Sequence, residues 1–323
     1  MLVRAIGSFW IAFLVFPAFA FASCGSEHCP IDLGMLWERS VLTFDLSQQY
    51  IDQDQPRVGR HDVAVGAIPS PEDEIRTVNR ITTARAIYQP SARWTFSAGL
   101  PFVSRFHEHV HNEVGNPPEL QRWSFHGIGD LEVQGSRNFA GAEGSGQRSH
   151  LMAGFRAPTG ARHVDEFDGE EPEPPARPGT GAWSALAGAG TQWSLGVRMP
   201  GGAHGSMPLR LGILGRANGR GTERYRIGSE LQSNVGIAYP IARPLEVLLS
   251  GDFRVRAKDD VGDTDAEAGN TGGTWGFFSP GLRVEAGKTA FTGIVQLPVY
   301  QRVNGINLVS DFNLYFGVTH QAF

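Results

Sequence analysis

Lysine is nearly absent from this chain of 323 residues and occurs only at positions 258 and 288. The formal net charge is −5, which does not indicate a nucleic-acid partner. Beyond residue 22 no stretch approaches 18 consecutive apolar residues, so there is no further candidate for a transmembrane helix. No apolar stripe of helical period, phosphate-binding loop or dinucleotide fingerprint occurs either. These absences argue against a nucleotide-binding enzyme.

The N-terminus carries a targeting pattern. Residues 1–22 contain one basic residue, Arg4, then an uncharged apolar run that ends in small residues around Ala22. This pattern predicts a secretory signal peptide cleaved after Ala22, although a retained membrane anchor is the alternative.

The two cysteines, Cys24 and Cys29, fall in a predicted periplasmic segment, residues 23–38. In an oxidising compartment they would most simply form a local disulfide, and thiolate binding of a soft metal is the alternative.

Period-two alternation of apolar and polar residues recurs along residues 39–323. In "LEVLLSGDFRV", for example, Leu249 and Phe253 share one face while Asp252 and Arg254 share the other. About twelve such runs predict strands near 39–51, 78–89, 92–105, 129–139, 148–157, 181–190, 205–216, 226–239, 245–257, 273–287, 289–300 and 308–323.

Alternation alone also fits a soluble β-sandwich, but three features favour a membrane barrel. The runs are about ten residues long, their non-apolar faces carry many charges, and short connections alternate with long ones. We therefore predict an all-β protein: a transmembrane antiparallel up-and-down β-barrel of about 12 strands, in the outer-membrane lipid of a Gram-negative bacterium. Segments 106–128 and 158–180 are predicted to be long exposed outer loops, and the "YQPSAR" turn to be periplasmic.

Several spaced motifs resemble a known family. "LPFVSR", "GIGDLEV", "FRAPTG", "GTGAW" and the C-terminal "NTGGTWGFFSPGLRVEAG" are similar to the outer-membrane transporter family associated with phenol-degradation (MetA-type) pathways. The resemblance covers most of residues 90–323. It implies a barrel and, less directly, a pore.

The stretch "RFHEHVHNEV" places three histidines at alternate positions, which share one face of a strand. Imidazoles on adjacent same-face positions can converge on Zn²⁺ or Cu²⁺, with a carboxylate or a further histidine completing the shell. A polar rim above the membrane, without metal, is the alternative. The candidate ligands are His107, His109, His111, His126 and Glu113, and no other cofactor is predicted.

Charged residues on the inward faces of the predicted strands are the candidate pore lining. Twelve strands lie between the packed interior of eight and the open channel of sixteen, so the lumen should be narrow or plugged. The candidates are Arg93, Arg105, Glu132, Arg156, Glu230, Asp252, Arg254, Arg256, Arg283 and Glu285.

The function predicted from these patterns is a channel for passive diffusion of small solutes through a narrow charged lumen. The alternative is a non-conducting barrel that binds metal ions at the histidine-rich outer loop. An enzyme is not expected, because Ser233 and Asn234 have no histidine at a recognisable triad spacing.

Overall fold

In a computed structural model, the protein is described over residues 41–68, 72–112, 117–164, 172–242, 244–264, 266 and 268–322. The predicted signal peptide, the segment 23–38 with Cys24 and Cys29, and Glu113 lie outside these residues. Two short 3₁₀ turns occur, Pro174–Ala176 and Thr222–Arg224. Over the described part of the chain, no helix is long and apolar enough to cross a membrane.

Sixteen strands follow one another along the described chain. They are β1 (Leu42–Gln53), β2 (Gln55–Val58), β3 (His61–Asp62), β4 (Glu72–Ser91), β5 (Trp94–His111), β6 (Glu119–Ile128), β7 (Leu131–Ala140), β8 (Gln147–Ala157), β9 (Ser184–Arg198), β10 (His204–Asn218), β11 (Glu230–Ala242), β12 (Leu245–Arg256), β13 (Gly273–Ala286), β14 (Thr289–Val303), β15 (Ile306–Val309) and β16 (Asn313–Gln321).

Twelve of these strands form a closed antiparallel barrel, as predicted. Neighbours in the chain pair with one another, and β1 pairs with both β4 and β16 to close the ring. Short turns join the strands at one end, which we call the turn end. The longer connections lie at the opposite end, the loop end.

The barrel wall separates apolar from polar side chains by strand parity. On β12, Leu249 faces outward while Asp252 is only 6% exposed on the inner side. The outward residues of β5 and β16, such as Phe96, Phe102 and Phe316, are likewise exposed. A continuous apolar outer belt of this kind matches the lipid-facing surface of membrane barrels.

The outward face becomes polar towards the loop end of β1, β4, β5 and β6. There Arg76 pairs with Asp52 across β4 and β1 (2.5 Å), and Arg122 pairs with Glu108 across β6 and β5 (2.7 Å). These strands therefore extend beyond the apolar belt.

The three alternate histidines lie on one strand, as predicted, because β5 continues to His111. The prediction of a loop over the whole of residues 106–128 is wrong, since β6 also returns from Glu119. β5 pairs with β7 in its first half and with β6 in its second half, so β6 and β7 act as one interrupted strand. Beyond the membrane both faces of a strand can be polar, and the apolar period that marks a spanning strand is lost.

The predicted outer loop 158–180 is largely buried over residues 172–179, where Glu173 alone is exposed. Pro172 is less than 2% exposed, and the carbonyls of Pro172 and Ala176 accept hydrogen bonds from the side chains of Arg177 and Arg105. Proline has no N–H to satisfy, so a proline-rich segment can be buried once its carbonyls find donors.

Candidate functional site

A cavity of about 200 Å³ occupies the lumen towards the loop end. The inward faces of the wall strands line it, together with Pro175, Pro178 and Thr180 of the buried segment. A smaller cavity of about 70 Å³ continues towards the turn end and shares Arg85, Gln134 and other lining residues with the first. The two cavities therefore lie next to each other in the lumen.

Arginines outnumber carboxylates in the lining of the larger cavity. Seven arginines and three carboxylates line it: Arg85, Arg105, Arg156, Arg177, Arg216, Arg254 and Arg256, with Asp130, Glu132 and Glu230. Some arginines have partners outside this lining, since Arg177 pairs with Glu223 and Arg256 with Asp259, and Arg85 stands opposite Asp45 across β4 and β1. With those three acids included, seven arginines stand against six carboxylates, so the arginines are in excess by one.

The inward charges form a linked series across neighbouring strands. Arg216 lies 3.1 Å from Glu132 and 3.6 Å from Glu230, and Arg254 lies 2.5 Å from Glu230. Arg156 lies 3.8 Å from Glu132. Glu132 and Glu230 thus each lie beside two guanidinium groups.

Asp130 connects the wall to the buried segment. Its carboxylate accepts hydrogen bonds from the backbone N–H of Gly160 (2.9 Å), and from the N–H (2.9 Å) and hydroxyl (2.7 Å) of Thr180. Gly160 and Gly179 approach so closely that a Cβ on either would collide with the backbone of the other. The motifs "GIGDLEV", "FRAPTG" and "GTGAW" therefore meet at one point of the wall.

Seven of the ten predicted pore residues lie on the inner side and line one of the two cavities: Arg105, Glu132, Arg156, Glu230, Asp252, Arg254 and Arg256. Arg93 is exposed in the turn between β4 and β5 and does not line a cavity. Arg283 is buried between Glu246 (4.0 Å) and Glu285 (3.2 Å), and neither Arg283 nor Glu285 lines these cavities.

Sequence reasoning missed Arg85, Arg177 and Arg216 as lining residues. Arg85 has the inward parity of β4 and Arg216 that of β10, so strand alternation was a usable signal for both. Arg177 carried no such signal, because its segment has no strand period.

The three histidines of "HEHVH" face the inner side of β5 beyond the apolar belt. His107 and His109 are 6% and 5% exposed, and their rings lie 5.2 Å apart between centroids. Burial, followed by the neighbouring charges of His109 and Arg105, lowers the pKa of His107 to about 3. Burial is also the main cause that lowers the pKa of His109.

The structure does not bring all the predicted metal ligands together. His126 lies on the exposed outer face of β6 and packs its ring against Phe102 at 5.9 Å. His107 is held by Thr77 and lies beside Glu74. The ligand atoms of His109, His111 and Glu72 lie within 4.8 Å of one another. Glu72 was not among the sequence candidates, because its proximity depends on the pairing of β4 with β5.

No protein-family model matches the chain, and no curated protein matches it either. Among solved structures, it is similar to an outer membrane channel from Pseudomonas putida F1, with 14% identity and a TM-score of 0.63 over 91% of this chain and 99% of that one. It is also similar to the transport unit of the autotransporter AIDA-I from Escherichia coli, with 10% identity and a TM-score of 0.50 over 90% of this chain and 92% of that one.

At these identities the likeness is one of fold. The chain has the fold of outer-membrane β-barrels, which agrees with the family resemblance at that level. These comparisons do not test the family's association with phenol degradation.

Proposed function

We propose that the protein is an outer-membrane channel through which small polar solutes diffuse passively, with a preference for anions. The observation that carries the proposal is the guanidinium-rich lining of the 200 Å³ cavity. Guanidinium groups present several fixed N–H donors, which suit carboxylate and phosphate groups in particular.

The size of the path favours a slow, selective channel over a wide pore. Twelve strands enclose a modest lumen, and residues 172–179 occupy part of it. Solutes would therefore pass partly dehydrated and in contact with the charged lining, so the balance of fixed charge should influence which ions enter.

The surroundings support a membrane location and a transport role. The apolar outer belt suits lipid, and the two structures described above are a channel and a transport unit, which favours a non-enzymatic function. We place the loop end outside the cell and the turn end in the periplasm, from the contrast in connection lengths.

The test is single-channel recording of the purified protein in planar bilayers. We expect steady conductance and, under a KCl gradient, a reversal potential that indicates chloride preference. Absence of conductance from correctly folded protein would contradict the channel, whereas cation preference would contradict only the selectivity.

A pair of variants tests the origin of the selectivity. Arg216→Gln removes a positive charge from the cavity lining, and Arg302→Gln removes one from an exposed position that does not line either cavity. Chloride preference should fall in the first variant and stay unchanged in the second. An equal shift in both would assign the selectivity to overall charge.

A further inference from the structure

We infer that Glu72, His109 and His111 form a binding site for a divalent transition metal of the zinc type. The site lies at the loop end of the paired strands β4 and β5, on their inner side and beyond the apolar belt. It is separate from the charged cavity, whose lining includes none of the three residues.

The register of the two strands brings the ligands together. Glu72 stands directly opposite His111, and Glu74 stands opposite His109. One ligand atom from each of Glu72, His109 and His111 falls within 4.8 Å of the other two. Two residues on one strand and one on its neighbour thus converge on a single point, although three histidines along one straight strand would span too far.

His109 supports a ligand role because its ring is buried and, among the described residues, neither ring nitrogen has a hydrogen bond of normal geometry. The side chain is only 5% exposed, and no hydrogen bond of normal length and angle reaches Nδ1 or Nε2, although Gln121 faces it from β6. Buried polar atoms in native proteins nearly always have a partner, so this exception points to a partner outside the chain, such as a water molecule, a ligand or an ion.

His107, two residues earlier and equally buried, provides the internal comparison. Its Nδ1 lies 2.8 Å from the hydroxyl of Thr77, and its Nε2 lies 3.1 Å from a carboxylate oxygen of Glu74. The ring of Trp123 packs against it at 4.6 Å. The fold thus supplies a polar neighbour for each ring nitrogen of His107. The ring of His109 instead lies beside Glu72 and His111.

The donor set selects the class of metal. Two imidazoles and one carboxylate are typical ligands of Zn²⁺, with a fourth position open to water, and they also suit Cu²⁺. Ca²⁺ and Mg²⁺ prefer shells built from oxygen alone. Tetrahedral zinc needs ligand atoms about 3.4 Å apart. The exposed Glu72 and half-buried His111 can close the remaining distance by side-chain rotation, while buried His109 stays fixed.

The test is isothermal titration of Zn²⁺ into the folded protein in detergent. Every protein used should carry Cys24→Ser and Cys29→Ser, because thiolates elsewhere would also bind zinc. We expect one equivalent to bind, and 1 mM Ca²⁺ not to displace it. His111→Ala and Glu72→Gln should each weaken binding at least tenfold.

The matched control is His126→Ala. It removes a nearby histidine that lies on the outer face of the wall, away from the proposed site, and should leave the isotherm unchanged. The inference is overturned if His111→Ala and Glu72→Gln bind Zn²⁺ as the parent does, or if His126→Ala weakens binding as much as they do. Circular dichroism and heat-modifiable gel migration of each variant would show that the barrel is intact.

Discussion

The carboxylate of Asp130 accepts hydrogen bonds from both the backbone N–H and the hydroxyl of Thr180, fifty positions further along the chain. Asp130 lies in the wall between β6 and β7, whereas Thr180 ends the segment that enters the lumen. The same carboxylate holds Gly160 at the start of that connection. One side chain therefore fixes both ends of the connection that fills part of the lumen.

Asp130→Ala should increase single-channel conductance. Without the carboxylate, three hydrogen bonds to residues 160 and 180 are lost, and residues 172–179 are held in the lumen less firmly. Asp263→Ala is the control, since the substitution removes an exposed side chain that pairs with Arg224 at 3.8 Å and leaves the backbone hydrogen bond of residue 263 in place. Unchanged conductance in a folded Asp130→Ala barrel would show that this anchor does not narrow the path.

Much of the barrel could be predicted from the sequence because lipid imposes a strict alternation on spanning strands. Leu249 and Asp252 show this directly, since one faces outward and the other inward as the alternation predicts. The rule stops at the edge of the lipid. The alternate histidines indicated that the strand continues to His111, as it does, but β6 and the buried proline segment lie beyond the rule, where long-range pairing decides the structure.

Leu249→Arg should destabilise the folded barrel by about 2–4 kcal/mol, because it places a charge in the apolar belt near the middle of the membrane. Asp252→Asn should alter conductance or ion preference with little effect on assembly, since Asp252 lines the smaller cavity. Urea unfolding in lipid vesicles and bilayer recordings measure the two effects. Equal assembly defects would argue against the assigned faces.

The sidedness of the barrel can be tested with two single-cysteine variants made in a cysteine-free background. Asp263→Cys lies at the loop end and Glu143→Cys in an exposed turn at the turn end. A maleimide that cannot cross the outer membrane should label Asp263→Cys on intact cells, and Glu143→Cys only after the membrane is ruptured. The reverse pattern would place the loop end in the periplasm.

The candidate sites were only partly predictable, for a similar physical reason. Strand parity identified Arg105, Arg254 and the alternate histidines. It could not identify Glu72 as a neighbour of His109 and His111, because that requires the register between β4 and β5. It also could not show that His126 faces outward, since the return strand β6 was expected to be a loop.

Tyr225 should ionise at a higher pH than an ordinary tyrosine. It is 3% exposed and donates a hydrogen bond to Asp259 at 2.7 Å, and Asp259 also accepts one from the backbone N–H of Gly228 at 2.8 Å. Burial and then the charge of Asp259 raise the pKa of Tyr225. The folded protein thus keeps a proton that the unfolded chain releases near pH 10. The stabilisation from this contact is therefore complete below about pH 10 and declines as the pH rises further.

Ultraviolet titration of phenolate absorbance measures this directly, because Tyr225→Phe removes one of six tyrosines. The difference between the parent and Tyr225→Phe should be absent near pH 10 and emerge only at higher pH. Asp259→Asn should shift that difference towards lower pH, since it removes the charge that opposes ionisation while the burial of the ring is kept. A difference already complete at pH 10 in the folded parent would contradict the buried Tyr225–Asp259 contact.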